Sequence, residues 1–191
     1  MAELFTMALA AILVNNVVLS KFLGVCPFLG VSKNSKSAIG MGAAVTFVIF
    51  GASLITYALY YLVLVPAKIE YMQLIAFILV IAAFVQFVEM FIKKYSASLY
   101  KSLGIYLPLI TTNCVVLFVA KENISAGYNI IETMVYSIAV PLGFTLVLYL
   151  FSCLRERLDS ANVLPSWKGN PVALVTAALM ALAFSGFAGI V

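Results

Sequence analysis

Leu23-Gly24-Val25-Cys26-Pro27-Phe28-Leu29-Gly30 is the stretch on which the fold turns. It lies inside the first long apolar run, where an unbroken helix is expected, yet it holds two glycines and a proline. Glycine tolerates dihedrals that other residues avoid. Proline removes a donor and biases the residue before it toward extended backbone. The stretch therefore predicts a break near Gly24–Pro27, with the Cys26 thiol on irregular backbone. In lipid such backbone survives only when it is buried in protein or lines a cavity.

Working outward, 65% of the 191 residues are hydrophobic, 9% are charged and the mean hydropathy is +1.16. So little charge excludes an ordinary soluble domain and marks a polytopic membrane protein. The first run is too long for a signal peptide, and no polar segment is long enough for a soluble domain. A span needs about 20 apolar residues. Six segments qualify: Leu4–Gly30, Ala38–Val65, Tyr71–Ile92, Leu99–Ala120, Asn129–Cys153 and Pro171–Val191. The expected architecture is a single all-α membrane domain of six transmembrane helices.

Histidine is absent, which removes His-ligated haem, His–zinc sites and imidazole proton relays from this chain. The net charge of +4 forms no basic stripe, so nucleic acid is not an expected partner. The cations follow a topological rule instead. Lys33 and Lys36 follow span one, Lys93, Lys94 and Lys101 follow span three, and Arg155, Arg157 and Lys168 follow span five. The opposite side carries Lys68 and Lys121, each with an acid nearby. Positive-inside bias places both termini on the outer face.

With three spans per half, related halves must be inverted in the membrane. Asn15-Asn16-Val17-Val18-Leu19 resembles Asn113-Cys114-Val115-Val116-Leu117 at an offset of 98, which suggests repeats over about 1–95 and 96–191. Inverted repeats with interrupted helices point to a site at the bilayer midplane. Span four carries the matching interruption, Leu103-Gly104-Ile105-Tyr106-Leu107-Pro108-Leu109-Ile110-Thr111-Thr112-Asn113-Cys114. Gly and Pro weaken the helix there, and Thr-Thr-Asn can cap a new start, leaving Cys114 near the amino end of a half-helix.

A lone membrane cysteine is most often a small packed hydrophobe. Cys26 and Cys114 both occupy interrupted segments of corresponding spans, which favours a redox or metal role. Thiolates suit iron–sulfur, zinc or copper(I), and iron–sulfur clusters usually take four. With three cysteines and no histidine, this chain cannot complete such a site alone. Two ligands must come from a partner chain, meeting Cys26 and Cys114 near mid-depth. Cys153 stands at the cytoplasmic end of span five and reads as structural. Asn15 and Asn16 read as groups that cap broken backbone or bond across helices, with a functional role open for Asn16. Lys21 can snorkel to an interface, and Gln86 and Glu89 fit a solvated helix end.

Leu13–Lys33 (LVNNVVLSKFLGVCPFLGVSK) and Leu103–Leu117 (LGIYLPLITTNCVVL), together with Arg155–Leu158 and Ala178–Gly189, resemble the family of A-type membrane subunits of the Rnf complex. That family is similar to the E-type subunit of the sodium-pumping NADH:quinone oxidoreductase, Nqr, though Asn15–Phe22 reads closer to Rnf. The resemblance implies a membrane subunit of an ion-translocating ferredoxin:NAD oxidoreductase of bacterial or archaeal cell membranes. It implies pairing with the homologous E-type Rnf subunit about a pseudo-twofold axis, beside the B-, C-, D- and G-type subunits. It implies a [2Fe-2S] cluster shared by the pair, with Cys26 and Cys114 as this chain's ligands. Gly24, Val25, Thr112 and Asn113 would support the cluster through backbone or outer-sphere contacts, and flavins would sit on other subunits. The rival expectation is a stand-alone secondary transporter, since broken inverted repeats also bind solutes.

Overall fold

A computed structural model describes residues 2–32, 35–68, 70–95, 107–160 and 169–186. Among these residues there is helix and no strand. Helix α1 (Ala2–Leu9) runs into a wide π turn (Ala10–Val14), and α2 is Val25–Val31. Helix α3 (Ser35–Leu59) continues through a second π turn (Tyr60–Leu64) into α4 (Val65–Ala67). A 3₁₀ turn (Glu70–Met72) leads into α5 (Gln73–Tyr95). Then come α6 (Leu107–Thr111), α7 (Cys114–Ser125), α8 (Ile130–Asp159) and α9 (Asn170–Ser185). Three helical stretches among the described residues are long and apolar enough to cross a membrane: Ser37–Ala67, Gln73–Met90 and Ile130–Leu158. Spans one and four consist of shorter helices on either side of a break. Lys33, Lys101, Gly104 and Lys168 lie outside the described residues.

The first break is longer than the sequence suggests and begins earlier. Helix ends at Val14, and irregular backbone runs from Asn15 to Gly24. Cys26 and Pro27 are then helical, which corrects the expectation of a break at Pro27 itself. The reason is positional. The first N–H groups of a helix have no intrahelical acceptor, so proline costs no hydrogen bond in the first turn. Pro27 marks a beginning, with Phe28 N–H donating to Gly24 C=O at 3.2 Å. Gly24 supplies the entry with φ of +75°, a left-handed conformation that a Cβ would strain.

Two compact units make up the chain, one of Met1–Ala43 with Ala139–Val191, the other of Ala44–Ile138. In the first, the irregular stretch is secured by Asn16, which is 1% exposed. Its amide donates to Ile12 C=O at 3.0 Å and to Gly143 C=O of α8 at 2.9 Å, and its Oδ1 accepts from Val18 N–H at 3.1 Å. Both amide hydrogens are used, so Asn16 caps broken backbone and bonds across helices at once. Asn15 and Lys21 are exposed. Helix α8 also receives α2 through Phe28 and Phe151, whose rings stack at 4.2 Å. In the second unit, α5 packs against α6 and α7, and Val45, Ile49, Phe77, Val85, Val115 and Val119 are buried. Leu62, Leu79 and Phe87 stay exposed, an outward apolar surface suited to lipid.

The junction at Gly143 yields a paired prediction. A Cβ there would lie 2.9 Å from the Ile12 carbonyl oxygen and 3.0 Å from its Cα, both backbone atoms with little room to yield. Gly143→Ala should destabilise by about 1–3 kcal/mol, read as a lower Tm of the detergent-solubilised protein. At Gly40 an added Cβ meets nothing within 4 Å. Gly40→Ala should leave Tm unchanged or raise it slightly.

Candidate functional site

Both cysteines singled out in the sequence occupy the first turn of a helix that restarts after an interruption. Cys26 is the second residue of α2, and Cys114 is the first of α7. Both are exposed, whereas Cys153, one turn beyond Tyr149 on α8, is partly covered. At an offset of 98 the residue opposite Cys114 is Asn16, not Cys26. The difference has a local cause. In span one the asparagine turn is followed by a run of irregular residues before helix resumes at Val25. In span four the asparagine turn opens directly into helix.

The second interruption is short and tightly bonded. Thr112 N–H and Oγ1 both donate to Pro108 C=O, at 3.2 and 2.9 Å, and Asn113 N–H donates to Ile110 C=O at 3.3 Å. These bonds close the end of α6. Asn113 then turns extended, with φ −73° and ψ 113°, and its Oδ1 accepts from Val115 N–H at 3.1 Å. This is the side-chain cap anticipated from Thr-Thr-Asn. The turn resembles that of Asn16, whose Oδ1 likewise accepts from the N–H two residues on.

Of the four supporting residues expected, Gly24 and Asn113 are buried, Val25 is half-buried and Thr112 is exposed. The peptide N–H groups of Thr112 and Asn113 are committed to α6. The Asn113 carboxamide nitrogen is different: on the residue preceding Cys114, it is buried and has no hydrogen-bond partner. Its orientation is fixed by the bond to Val115, so a donor rather than an acceptor is left over. An unsatisfied buried donor costs about 1–3 kcal/mol, and such a donor suits an acceptor or negative charge.

Among the described residues no three His, Cys, Asp or Glu side chains gather where a metal could be held. The donors present fit an iron–sulfur group as part of a larger set: exposed thiols on helix starts, with an unused N–H on the residue preceding one of them. Cys26 belongs to the first unit and Cys114 to the second. Gln86 is exposed and Glu89 half-exposed on α5, as suits a helix end.

Sequence reasoning missed Arg155, assigned there to a loop. It lies in the last turns of α8 and is 5% exposed. A signal was available: Phe144, Leu148, Phe151 and Arg155 recur at helical spacing, and all four are buried.

The cap at Asn113 can be tested by itself. Asn113→Ser, which retains a capping oxygen, should be more stable than Asn113→Ala by about 1 kcal/mol in thermal unfolding. Both variants lack the unpartnered N–H, so the difference reports the cap alone.

Comparison with known proteins agrees with this architecture. A family model described as "Rnf-Nqr subunit, membrane protein" matches residues 4–191. The chain is 59% identical over 181 residues to the A-type subunit of the Na+-translocating ferredoxin:NAD+ oxidoreductase complex of Acetobacterium woodii, covering 95% of this chain and 94% of that one. It is 54% identical over 191 residues to the A-type subunit of the ion-translocating oxidoreductase complex of Syntrophotalea carbinolica, covering 100% and 99%. The corresponding subunit of Shewanella sediminis is 52% identical over the full length of both chains. With a family model matched from end to end and relatives this similar at full length, the chain belongs to the Rnf-Nqr family of membrane subunits.

Proposed function

We propose that this chain is the A-type subunit of an Rnf-type ion-translocating ferredoxin:NAD oxidoreductase, and that it carries electrons through the membrane on a [2Fe-2S] cluster shared with the homologous E-type subunit. The observation that carries the reading is the pair Cys26 and Cys114, each an exposed thiol in the first turn of a helix restarting inside an apolar span. The relatives named as the corresponding subunits of ion-translocating oxidoreductases support it at full length. The same names, with the Asn15–Phe22 wording, favour the Rnf subunit over its Nqr counterpart.

The chain's residues divide the work. Cys26 and Cys114 supply two thiolates, and the E-type subunit supplies the other two of the four such clusters usually take. The Asn113 carboxamide offers its unused N–H to negative charge held at Cys114, where low dielectric strengthens the interaction. Phe28, Val115 and Val116, all buried, keep water from the base of each half-helix. When bound, the cluster supplies one-electron carriage at a depth that no soluble carrier reaches. Ferredoxin, NAD and flavin chemistry then belong to the B-, C-, D- and G-type subunits, in a bacterial or archaeal cell membrane, with both termini of this chain outside. The translocated cation is Na+ or H+; the Acetobacterium relative's name specifies Na+.

An inverted-repeat origin is supported by how the units divide. The chain leaves the first unit after Ala43, in span two, and re-enters it after Ile138, in span five. Those points are separated by nearly the repeat offset of 98, so spans two and five are divided at equivalent places.

The complex, purified with its partner subunits, decides the matter. Cys26→Ala and Cys114→Ala should each abolish the cluster's EPR signal and lower the iron content, while Cys153→Ala should leave both unchanged. A full signal in either of the first two variants would refute the ligand assignment. Solute uptake by an iron-free protein would favour the transporter reading.

A further inference from the structure

Arg155 is a buried cation whose hydrogen-bond acceptors among the described residues are all neutral. Its Nη1 donates to Leu29 C=O and to Ser32 Oγ, both at 2.8 Å, and its Nη2 donates to Asn170 Oδ1 at 3.3 Å. Leu29 is in the last turn of α2 and Ser32 is its C-cap, while Asn170 opens α9. The guanidinium therefore ties the end of the seven-residue helix that carries Cys26 to the first turn of α9. It also engages a negative helix end, where a cation is favoured. One turn earlier on α8, Phe151 stacks on Phe28. Two adjacent positions on one face of α8 thus hold α2, one through ring contact and one through charge.

Taking a guanidinium out of water costs several kcal/mol. Three neutral acceptors take three of its five N–H groups, and among the described residues none of its hydrogen-bond partners carries a charge to cancel its own. In low dielectric that charge is felt over a longer range than at a surface. Helix α2 is about 10 Å long at 1.5 Å per residue, and Leu29, whose carbonyl Arg155 binds, is one turn along it from Cys26. Arginine rather than lysine suits the place, because a planar fork can bridge several acceptors at once.

We propose that Arg155 is a positioning residue for Cys26: it seats α2 and supplies the positive charge that favours the reduced, more negative state of whatever Cys26 ligates. The inference rests on the cluster reading above. In the intact complex, EPR-monitored redox titration of Arg155→Gln should show the cluster retained with its midpoint moved to more negative potential. Amide exchange of residues 25–32 should accelerate about tenfold, as expected for losing hydrogen bonds to a charged group, while residues 114–125 keep wild-type rates. Arg155→Lys, which restores the charge, should bring the midpoint back toward wild type. An unchanged midpoint in Arg155→Gln, or a midpoint in Arg155→Lys displaced as far as in the glutamine variant, overturns the proposal. If Arg155→Gln does not assemble, Ser32→Ala removes one acceptor and keeps the charge. That variant should speed exchange in 25–32 with the midpoint unchanged, and wild-type exchange there counts against the proposal. A cluster that survives Cys26→Ala sinks the ligand reading instead, and the exchange rates still report whether Arg155 seats α2.

Discussion

In hydrocarbon there is no water to take up a stray peptide N–H or C=O, and every break in a spanning helix must be resolved within the protein. This chain interrupts helix within two of its apolar runs, and asparagine serves at both. Asn16 spends its whole hydrogen-bonding capacity on the first break, binding its own π turn, the backbone ahead of it and the α8 carbonyl of Gly143. Asn113 uses its oxygen to start α7 and keeps its nitrogen in reserve. One amide is fully consumed by structure and the other is left with a donor at a cysteine. That asymmetry separates a side chain absorbed in the fold from one with a donor to spare.

Helix α8 is the element against which the first unit is arranged. Gly143 admits the irregular stretch at backbone distance, Phe151 receives the ring of Phe28, and Arg155 grips the far end of α2. These contacts follow one another along α8 at roughly two-turn and one-turn intervals. The half-helix bearing Cys26 is too short to be stable on its own. Its conformation is imposed from outside by aromatic stacking and a buried cation.

Much of this was legible in the residues. Hydropathy disclosed the helical membrane character, the Gly/Pro cluster at 24–30 disclosed an interruption of the first apolar run, and Thr-Thr-Asn disclosed the cap before Cys114. Pro108, by contrast, lies within α6, and the second interruption falls at Thr112–Asn113. The limits of the first break were not legible, because Pro27 signals equally the end of one helix and the first turn of the next. Asn16 could be narrowed to capping or function, but its dependence on Gly143, 127 residues away, is a tertiary fact. Arg155 was misjudged for a related reason. Near a span's end a cation is ordinarily a topological marker, and its burial is decided by carbonyls that periodicity does not reveal.

The division into compact units bears on the order in which such a chain can fold. Each unit draws on both halves of the sequence, the first from Met1–Ala43 and Ala139–Val191, the second from the middle. A cut between the halves would leave neither fragment owning a whole unit. The first unit cannot close until Ala139–Val191 has been laid beside Met1–Ala43, so its assembly waits on the last residues to be made.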